Sequence, residues 1–478
     1  MPSPCLFQGP RSPDQVHGSL LVSWATLIVP LVVLFPCVAH AQSAPDPDLR
    51  VDRTALGDTV PDPLEALSAE LMAEHPQLNS ARRITAAARL AVDPAGSLPD
   101  PVLGVGLSAL PLPDLDISAE GMTMLALEVM QEIPPRGLRT ARTEAAVARA
   151  EAAEARELVT AWDLRLRLAE AWFELLLVSE ALTVHHRTIS SLEAFSRSAE
   201  AAYTEGMAPQ ADMLRAQTEL ASLEEHLAEL RQRRATALAE VNTLLGRHVR
   251  EPVEASIPSR LQVLVEGDPG VGMLTTRLED AELGAGFPTL AELETLALTH
   301  RPELAVQQAE VQVALADAET TRIERNPSLR LSGGYGLRSG RRDVISVGVS
   351  LPIPLFRSRK QDRWVEAAVM EAEAAHFNES DLRRRIRREV AEAHAELVEA
   401  REQLVLLQEG ILPQARAAVQ GAAAAYRTGE GSFTGLMETQ TVLFRSEIQH
   451  AHLTAGVGRD LARLERAVGR RLEPEMLP

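Results

Sequence analysis

Four groups of residues in this 478-residue chain carry side chains able to do chemistry. None of them assembles a reaction centre. His185-His186 invites metal ligation. Adjacent helical residues point about 100° apart, so the pair cannot readily close on one ion, and a solvated helix face is the simpler reading. His394 falls where an internal repeat places Trp172, which points to packing at a helix interface. Gly333-Gly334-Tyr335-Gly336 offers backbone amides, as a phosphate cradle does. It lacks the spacing of a dinucleotide fingerprint and sits inside an alternating strand. Arg383-Arg384-Arg385-Arg387-Arg388 could gather anions, yet acidic neighbours make a solvated face the better reading. No catalytic residue, cofactor or metal site is expected, and so no enzyme.

The elements around these residues come in two copies. His75-Pro76-Gln77-Leu78 returns as Arg301-Pro302-Glu303-Leu304, and Asp100-Pro101 as Asn326-Pro327. Glu170-Ala171-Trp172-Phe173-Glu174-Leu175 returns as Glu392-Ala393-His394-Ala395-Glu396-Leu397. Ala201-Ala202-Tyr203 with Gly206 returns as Ala424-Ala425-Tyr426 with Gly429, and Gly246-Arg247 as Gly469-Arg470. The order is kept and the offset drifts by only a few residues. A duplicated unit of roughly two hundred residues is far longer than a solenoid repeat.

Each unit reads helix, β-hairpin, long helix, tight turn, helix. In the first, Pro63 to about Leu90 is expected as one helix. Pro101–Leu110 and Met122–Ile133 then alternate with period two, around a loop with Pro111, Pro113 and Gly121. In the second, Leu329, Leu331, Gly333, Tyr335 and Leu337 alternate with Arg330, Ser332, Gly334 and Gly336. After a turn at Arg338–Arg342, Ile345, Val347, Val349 and Leu351 alternate with Val344, Ser346, Gly348 and Ser350. The helix from Arg136 to about Ala202 would reach roughly 100 Å. Its counterpart from Arg357 to about Arg427 carries a stripe at coiled-coil spacing: Ile386, Val390, Ala393, Leu397, Ala400, Leu404, Leu407 and Ile411. Pro209–Leu245 and Ser432–Val468 return antiparallel.

The expected division is a signal peptide at 1–41, a linker at 42–62, a first repeat at 63–248, a linker at 249–288, a second repeat at 289–471 and a tail at 472–478. Gly18–Pro36 is mostly apolar, and Ala39-His40-Ala41 fits a small-x-small cleavage site. A membrane anchor and a lipid-modified Cys37 are the alternatives. Pro30 and Pro36 interrupt the first, and Leu34-Phe35-Pro36 lacks the small residues expected for the second. Cys5 and Cys37, the two cysteines, both precede the cut, so the mature chain needs no disulfide. A net charge of -19 argues against nucleic acid as a partner, because phosphate contacts need basic surface. After Ala41 no run of about 20 apolar residues occurs.

Strands of about ten residues with one apolar and one small or polar face match outer-membrane barrel strands. The competing reading is a small soluble sheet capping the helices. Helices too long for a compact domain, and glycine and serine on the second face, favour the barrel. Four strands cannot close one, and an open edge in lipid leaves unpaired backbone groups. Several chains must then pool their strands into a ring.

The ordered set of duplicated motifs resembles the outer-membrane efflux protein family, the TolC-like channel-tunnels, over about Pro63–Arg471. It rests on His75-Pro76 and Arg301-Pro302, on Asn326-Pro327-Ser328-Leu329, and on Val349-Ser350-Leu351-Pro352-Ile353-Pro354-Leu355-Phe356. It rests also on Tyr203, Gly206, Asp212, Leu214, Ala216 and Gln217. Gln131–Arg139 resembles the strand-to-helix corner of members that serve heavy-metal exporters. The resemblance implies a mainly α fold with a small transmembrane β part. It implies a homotrimer with an α-helical tunnel and a 12-stranded β-barrel in outer-membrane lipid, with a long periplasmic extension. It further implies docking to a periplasmic adaptor and, through it, to a proton-driven inner-membrane pump. Docking tips would be Gly206, Met207, Ala208 and Asp212, with Gly429, Glu430, Gly431 and Ser432. Asp212 and Glu438 would form the gate, since Gly435 stands where the family usually carries an acid.

The function so implied is passive efflux of heavy-metal cations or small toxic organics. The alternatives are a duct for protein secretion, a periplasmic adaptor and a structural coiled coil. Adaptors usually nest a single helical hairpin in a β-rich shell, and the duplication argues against that.

Overall fold

The computed structural model describes residues 62–109, 122–266 and 287–472. The expected signal peptide with both cysteines, nearly all of the linker at 42–62, the first hairpin's loop with Pro111, Pro113 and Gly121, half of the central linker (267–286) and residues 473–478 lie outside the described residues.

Two short helices open the first repeat, α1 (Pro63–Glu74) and α2 (Pro76–Leu90). The sequence reading took them as one helix. Pro76 has no N–H to donate and pushes the preceding residue out of the helical region. His75 accordingly sits at φ -61°, ψ 128°, and its Nδ1 accepts from the Gln77 amide. Arg301 makes the same break in the second repeat, between α7 (Leu290–His300) and α8 (Pro302–Glu324), at φ -67°, ψ 119°. The pseudo-symmetry therefore extends to a proline break.

After α3 (Val92–Ala95) come β1 (Val102–Ser108) and β2 (Met124–Ile133). Then α4 (Leu138–Thr204) runs 67 residues without interruption, roughly 100 Å at the usual rise. The 35-residue α5 (Gln210–Leu244) packs back along it. The second repeat gives β3 (Leu329–Leu337), β4 (Val344–Ser350), α9 (Gln361–Val405), α10 (Leu412–Thr428) and the 36-residue α11 (Phe433–Val468).

Residues Leu406–Ile411, between α9 and α10, form one π-helical turn. Pro413 follows, and a proline inside a helix clashes with the carbonyl four residues back. A widened turn relieves that clash and inserts one residue into the register. The expected apolar stripe is buried from Ile386 to Leu407, except for half-buried Ala400. Beyond the π turn it passes to Leu412, 5 % exposed, while Ile411 is 49 % exposed. The constant three-four spacing fails at that point for this reason.

The main core lies where both repeats cross. Trp172 and Phe173 are each 1 % exposed among Leu168, Leu175, Val457 and Leu461. Gly458 on α11 makes room for Phe173, because a Cβ there would lie 2.3 Å from the ring. Part of the central linker joins this core. Leu261, Leu264 and Val265 are buried, the last two in the short α6 (Gln262–Glu266), and the Trp172 indole donates to the Ser256 carbonyl at 3.1 Å. Residues 253–265 are thus packed structure, where the Pro- and Gly-rich composition of the whole segment suggested a simple tether.

Ion pairs clasp the helices around this core. Arg466 on α11 reaches Asp163 on α4 at 2.7 Å and pairs with Glu303 on α8. Arg301 pairs with Glu389 on α9 at 2.5 Å. A second, smaller core of Leu192, Ala199, Ala216, Phe433, Leu436 and Met437 lies near the far ends of the long helices.

Candidate functional site

The four strands form one antiparallel sheet in the order β1-β2-β3-β4. Its registers pair Val102 with Met130, Ile133 with Leu329 and Arg330 with Ser350. All four helix junctions therefore lie at one end of the sheet, and both hairpin turns at the other. The two expected hairpins are joined by nine β2–β3 pairs, Leu125–Leu337 through Ile133–Leu329.

Register also sorts the faces. Leu103, Val105 and Leu107 stand opposite Val129, Leu127 and Leu125. Those meet Gly333, Tyr335 and Leu337, and Tyr335 and Gly333 in turn meet Ile345 and Val347. One face is almost wholly aliphatic. Among the described residues no helix covers it: Ile345 is 75 % and Val347 84 % exposed. The opposite face carries Gly104, Gly106, Ala126, Glu128, Ser332, Gly334, Gly336, Ser346 and Gly348. Larger residues at two of these glycines would have to turn a serine hydroxyl aside. A Cβ on Gly334 would lie 2.5 Å from the Ser346 Oγ, and one on Gly348 would lie 2.6 Å from the Ser332 Oγ. The glycine cluster at 333–336 is thus strand, not a phosphate loop.

An aliphatic sheet face of this extent has no stable home in water. Among the described residues no helix is long and apolar enough to cross a membrane. A barrel wall does not need one, because its backbone groups pair between strands.

At the other end of the long helices sit the expected docking tips. The α4–α5 turn places Gly206 at φ +75°, and the Met207 and Ala208 amides both donate to the Ala202 carbonyl. The α10–α11 turn repeats this with Gly429 at φ +77° and the Glu430 and Gly431 amides on Ala425. Left-handed backbone requires glycine at both positions. Ser432 caps α11 by accepting from the Gly435 amide at 3.1 Å. Met207 is 73 % exposed.

Asp212 is half-buried at the start of α5, beside Tyr426 of α10. Burial, with the Asp212 charge added, pushes the Tyr426 phenol above its ordinary value. Glu438 is exposed on α11, in a cleft shared with Arg215, Glu219, Thr434 and Arg445. Arg215 donates to the Thr434 hydroxyl at 3.0 Å and ties α5 to α11. The sequence carried no signal for that link. The two acidic residues named for the gate thus stand on different helices, each with its own partners.

The other groups fall into place as packing or surface. His185 is buried rather than solvated. Its Nδ1 donates to the Ala181 carbonyl at 2.8 Å, its ring meets Phe444 edge-on at 4.9 Å, and burial lowers its pKa. His186 is exposed. His394 is half-buried at 6.5 Å from Phe287. Within the arginine cluster, Arg383 pairs with Glu379, Arg385 with Asp381 and Arg388 with Glu392. Among the described residues no group of three or more His, Cys, Asp or Glu could hold a metal.

Comparison with known proteins follows the duplication. The profile of the outer membrane efflux protein family matches residues 67–247 and again 293–470. The cobalt-zinc-cadmium resistance protein CzcC of Cupriavidus metallidurans is 23% identical over 342 residues, 70% of this chain and 74% of that protein. The pyoverdine export outer membrane protein OpmQ of Pseudomonas aeruginosa is 24% identical over 357 residues, 72% of this chain and 68% of that protein. Among solved structures, CusC superposes with a TM-score of 0.70 at 17% identity, covering 85% of this chain and 92% of its own. The outer-membrane channel OprN gives 0.69 at 22% identity, with 85% and 89% covered. These structures share the fold, a helical tunnel with a small strand part. With the profile over both halves and an uncovered aliphatic sheet above the long helices, the chain belongs to the outer membrane efflux protein family and serves as an efflux channel of the outer membrane.

Proposed function

We propose that three copies of the chain pool their sheets into a twelve-stranded barrel, with the helices continuing beneath it as one periplasmic tunnel. The observation that carries this reading is the sheet itself, aliphatic on one face, small and polar on the other. Both of its outer strands, β1 and β4, lack a partner on one side among the described residues. An unpaired strand edge in hydrocarbon costs several kcal/mol per backbone group, and head-to-tail pairing of identical chains removes every edge. The aliphatic face then meets lipid, and Glu128 with the glycines and serines lines the lumen.

In this reading cargo passes unaltered, and the driving energy comes from an inner-membrane pump reached through a periplasmic adaptor. The adaptor grips the exposed turns at Gly206, Met207, Ala208 and Asp212, and at Gly429, Glu430, Gly431 and Ser432. Asp212 and Glu438 constrict the periplasmic end. Glu438→Ala raises cation conductance through the closed state in planar-bilayer recordings. An unchanged trace removes Glu438 from the gate.

The cargo we infer is divalent heavy-metal cations. Support comes from the likeness to CzcC, from the corner at Gln131–Arg139, and from a net charge of -19, which favours cations in a narrow tunnel. The likeness to OpmQ supports a second reading, small organic cargo. Deleting the gene sensitises cells to zinc, cadmium or cobalt on the first reading. Unchanged metal tolerance with heightened sensitivity to organic toxicants supports the second.

A further inference from the structure

Of the 48 basic side chains in the chain, only Lys360 is a lysine. It stands at the corner where β4 hands over to α9, its Nζ 5.1 Å above the ring of exposed Trp364. The cleft it borders runs between the strand-to-helix corners of the two repeats, with Pro135, Pro327, Pro352 and Ile353 along it. Three cations line that cleft. Arg142 is paired with Glu324 at 2.7 Å, and Arg325 with Asp362 at 2.9 Å. Among the described residues no carboxylate pairs with the Lys360 ammonium.

The approach to this corner is apolar and uncovered. Ile353, Leu355 and Phe356 are all exposed, the last 70 %. They follow β4 directly at the helix end of the sheet, which is the periplasmic end in the proposed assembly. Tryptophan settles at the boundary between acyl chains and headgroups. Lysine lays its stem along apolar surface and keeps its ammonium wet. A hydrated, flexible ammonium suits a mobile phosphate better than a planar guanidinium does.

We propose that this corner seats the headgroup phosphate of an anionic phospholipid from the periplasmic leaflet, with Lys360 as the contacting cation and Trp364 as its platform. Charge complementarity and continuity with the lipid-facing sheet select the occupant. The proposal rests on the sheet being membrane-inserted and adds a recognised lipid to it.

The lone lysine supplies its own readout. The assembled full-length protein is placed in nanodiscs of phosphatidylcholine, or of phosphatidylcholine with phosphatidylglycerol. Acylation by an amine-selective reagent is followed at Lys360 by peptide mass spectrometry. Phosphatidylglycerol slows acylation about fivefold, inorganic phosphate added to phosphatidylcholine discs does not, and Trp364→Ala abolishes the difference. Equal rates in the two lipids overturn the proposal. So does slowing by inorganic phosphate alone, which marks a free-anion site. Equal protection in detergent without lipid also overturns it, because a neighbouring copy then covers the corner. Protein that never enters the discs contradicts the membrane assignment itself, an outcome separate from equal rates in inserted protein.

Discussion

The helical crossing and the sheet are built from the same aliphatic residues and treat them in opposite ways. At the crossing, Leu175, Val241, Leu397 and Leu461 are fully buried around Trp172 and Phe173. In the sheet, Val105, Leu127, Ile345 and Val347 meet only their cross-strand neighbours and stay exposed. Burial drives the first region from within one molecule. In the proposed assembly the second gains that contribution from a bilayer, with edge pairing from neighbouring copies. One region folds as a protomer, and the other is completed by its surroundings.

This contrast can be broken in order of expected effect. Trp172→Ala removes a buried indole and its bond to Ser256, and lowers the stability of the helical body by about 3–5 kcal/mol in denaturant titration followed by circular dichroism. Gly458→Val acts on the same measurement, since its new side chain collides with Phe173. Val347→Arg costs about 2–4 kcal/mol of membrane insertion and leaves the helical transition unmoved. Its neighbour Ser346→Arg, on the wet face, leaves the insertion yield unmoved as well. If both arginines block insertion equally, the sheet has no lipid side.

A subtler test concerns the ion-pair clasp. Burial raises the pKa of the Glu303 carboxyl, but the hydrogen bond and charge of Arg466, with Arg301, outweigh it and hold the group below its ordinary value of 4.5. A lowered folded pKa contributes stability above the unfolded pKa, and that contribution is lost as pH falls through the folded one. Glu303→Gln therefore lowers stability by about 1–3 kcal/mol at neutral pH. The gap to the parent protein closes on acidification from about pH 4.5 downward. A gap that widens with acid contradicts the sign. The smallest effect belongs to Glu128. Its two cross-strand partners are Gly104 and Gly334, so no charged residue stands directly opposite it, whereas Glu132 on the same face pairs with Arg330. Glu128→Gln reduces cation preference roughly twofold in reversal-potential measurements.

What the sequence disclosed divides along the same line. The strands were legible because alternation is local, and the tips because glycine is needed where φ turns positive at Gly206 and Gly429. The long helix α4 was legible because no proline interrupts it. The break at His75 was also written locally, in Pro76, and was read past. Other features needed the folded chain. The β2–β3 pairing joins residues some two hundred positions apart and turns two hairpins into one sheet. His185 looked solvated until Phe444, from the other repeat, closed over it. The residues at 253–265 read as part of a linker because the whole segment is rich in Pro and Gly, yet they pack beside Trp172. The π turn before Pro413 moved Ile411 off a stripe that simple spacing would have continued.

The most direct test scans β4. With Cys5 and Cys37 replaced, single cysteines at Ile345, Ser346, Val347, Gly348 and Val349 are exposed to a membrane-impermeant thiol reagent in reconstituted bilayers. Labelling at 346 and 348, with protection at 345, 347 and 349, is the pattern of a barrel wall between lipid and a water-filled lumen. Uniform labelling along the strand would show that these residues never enter a membrane.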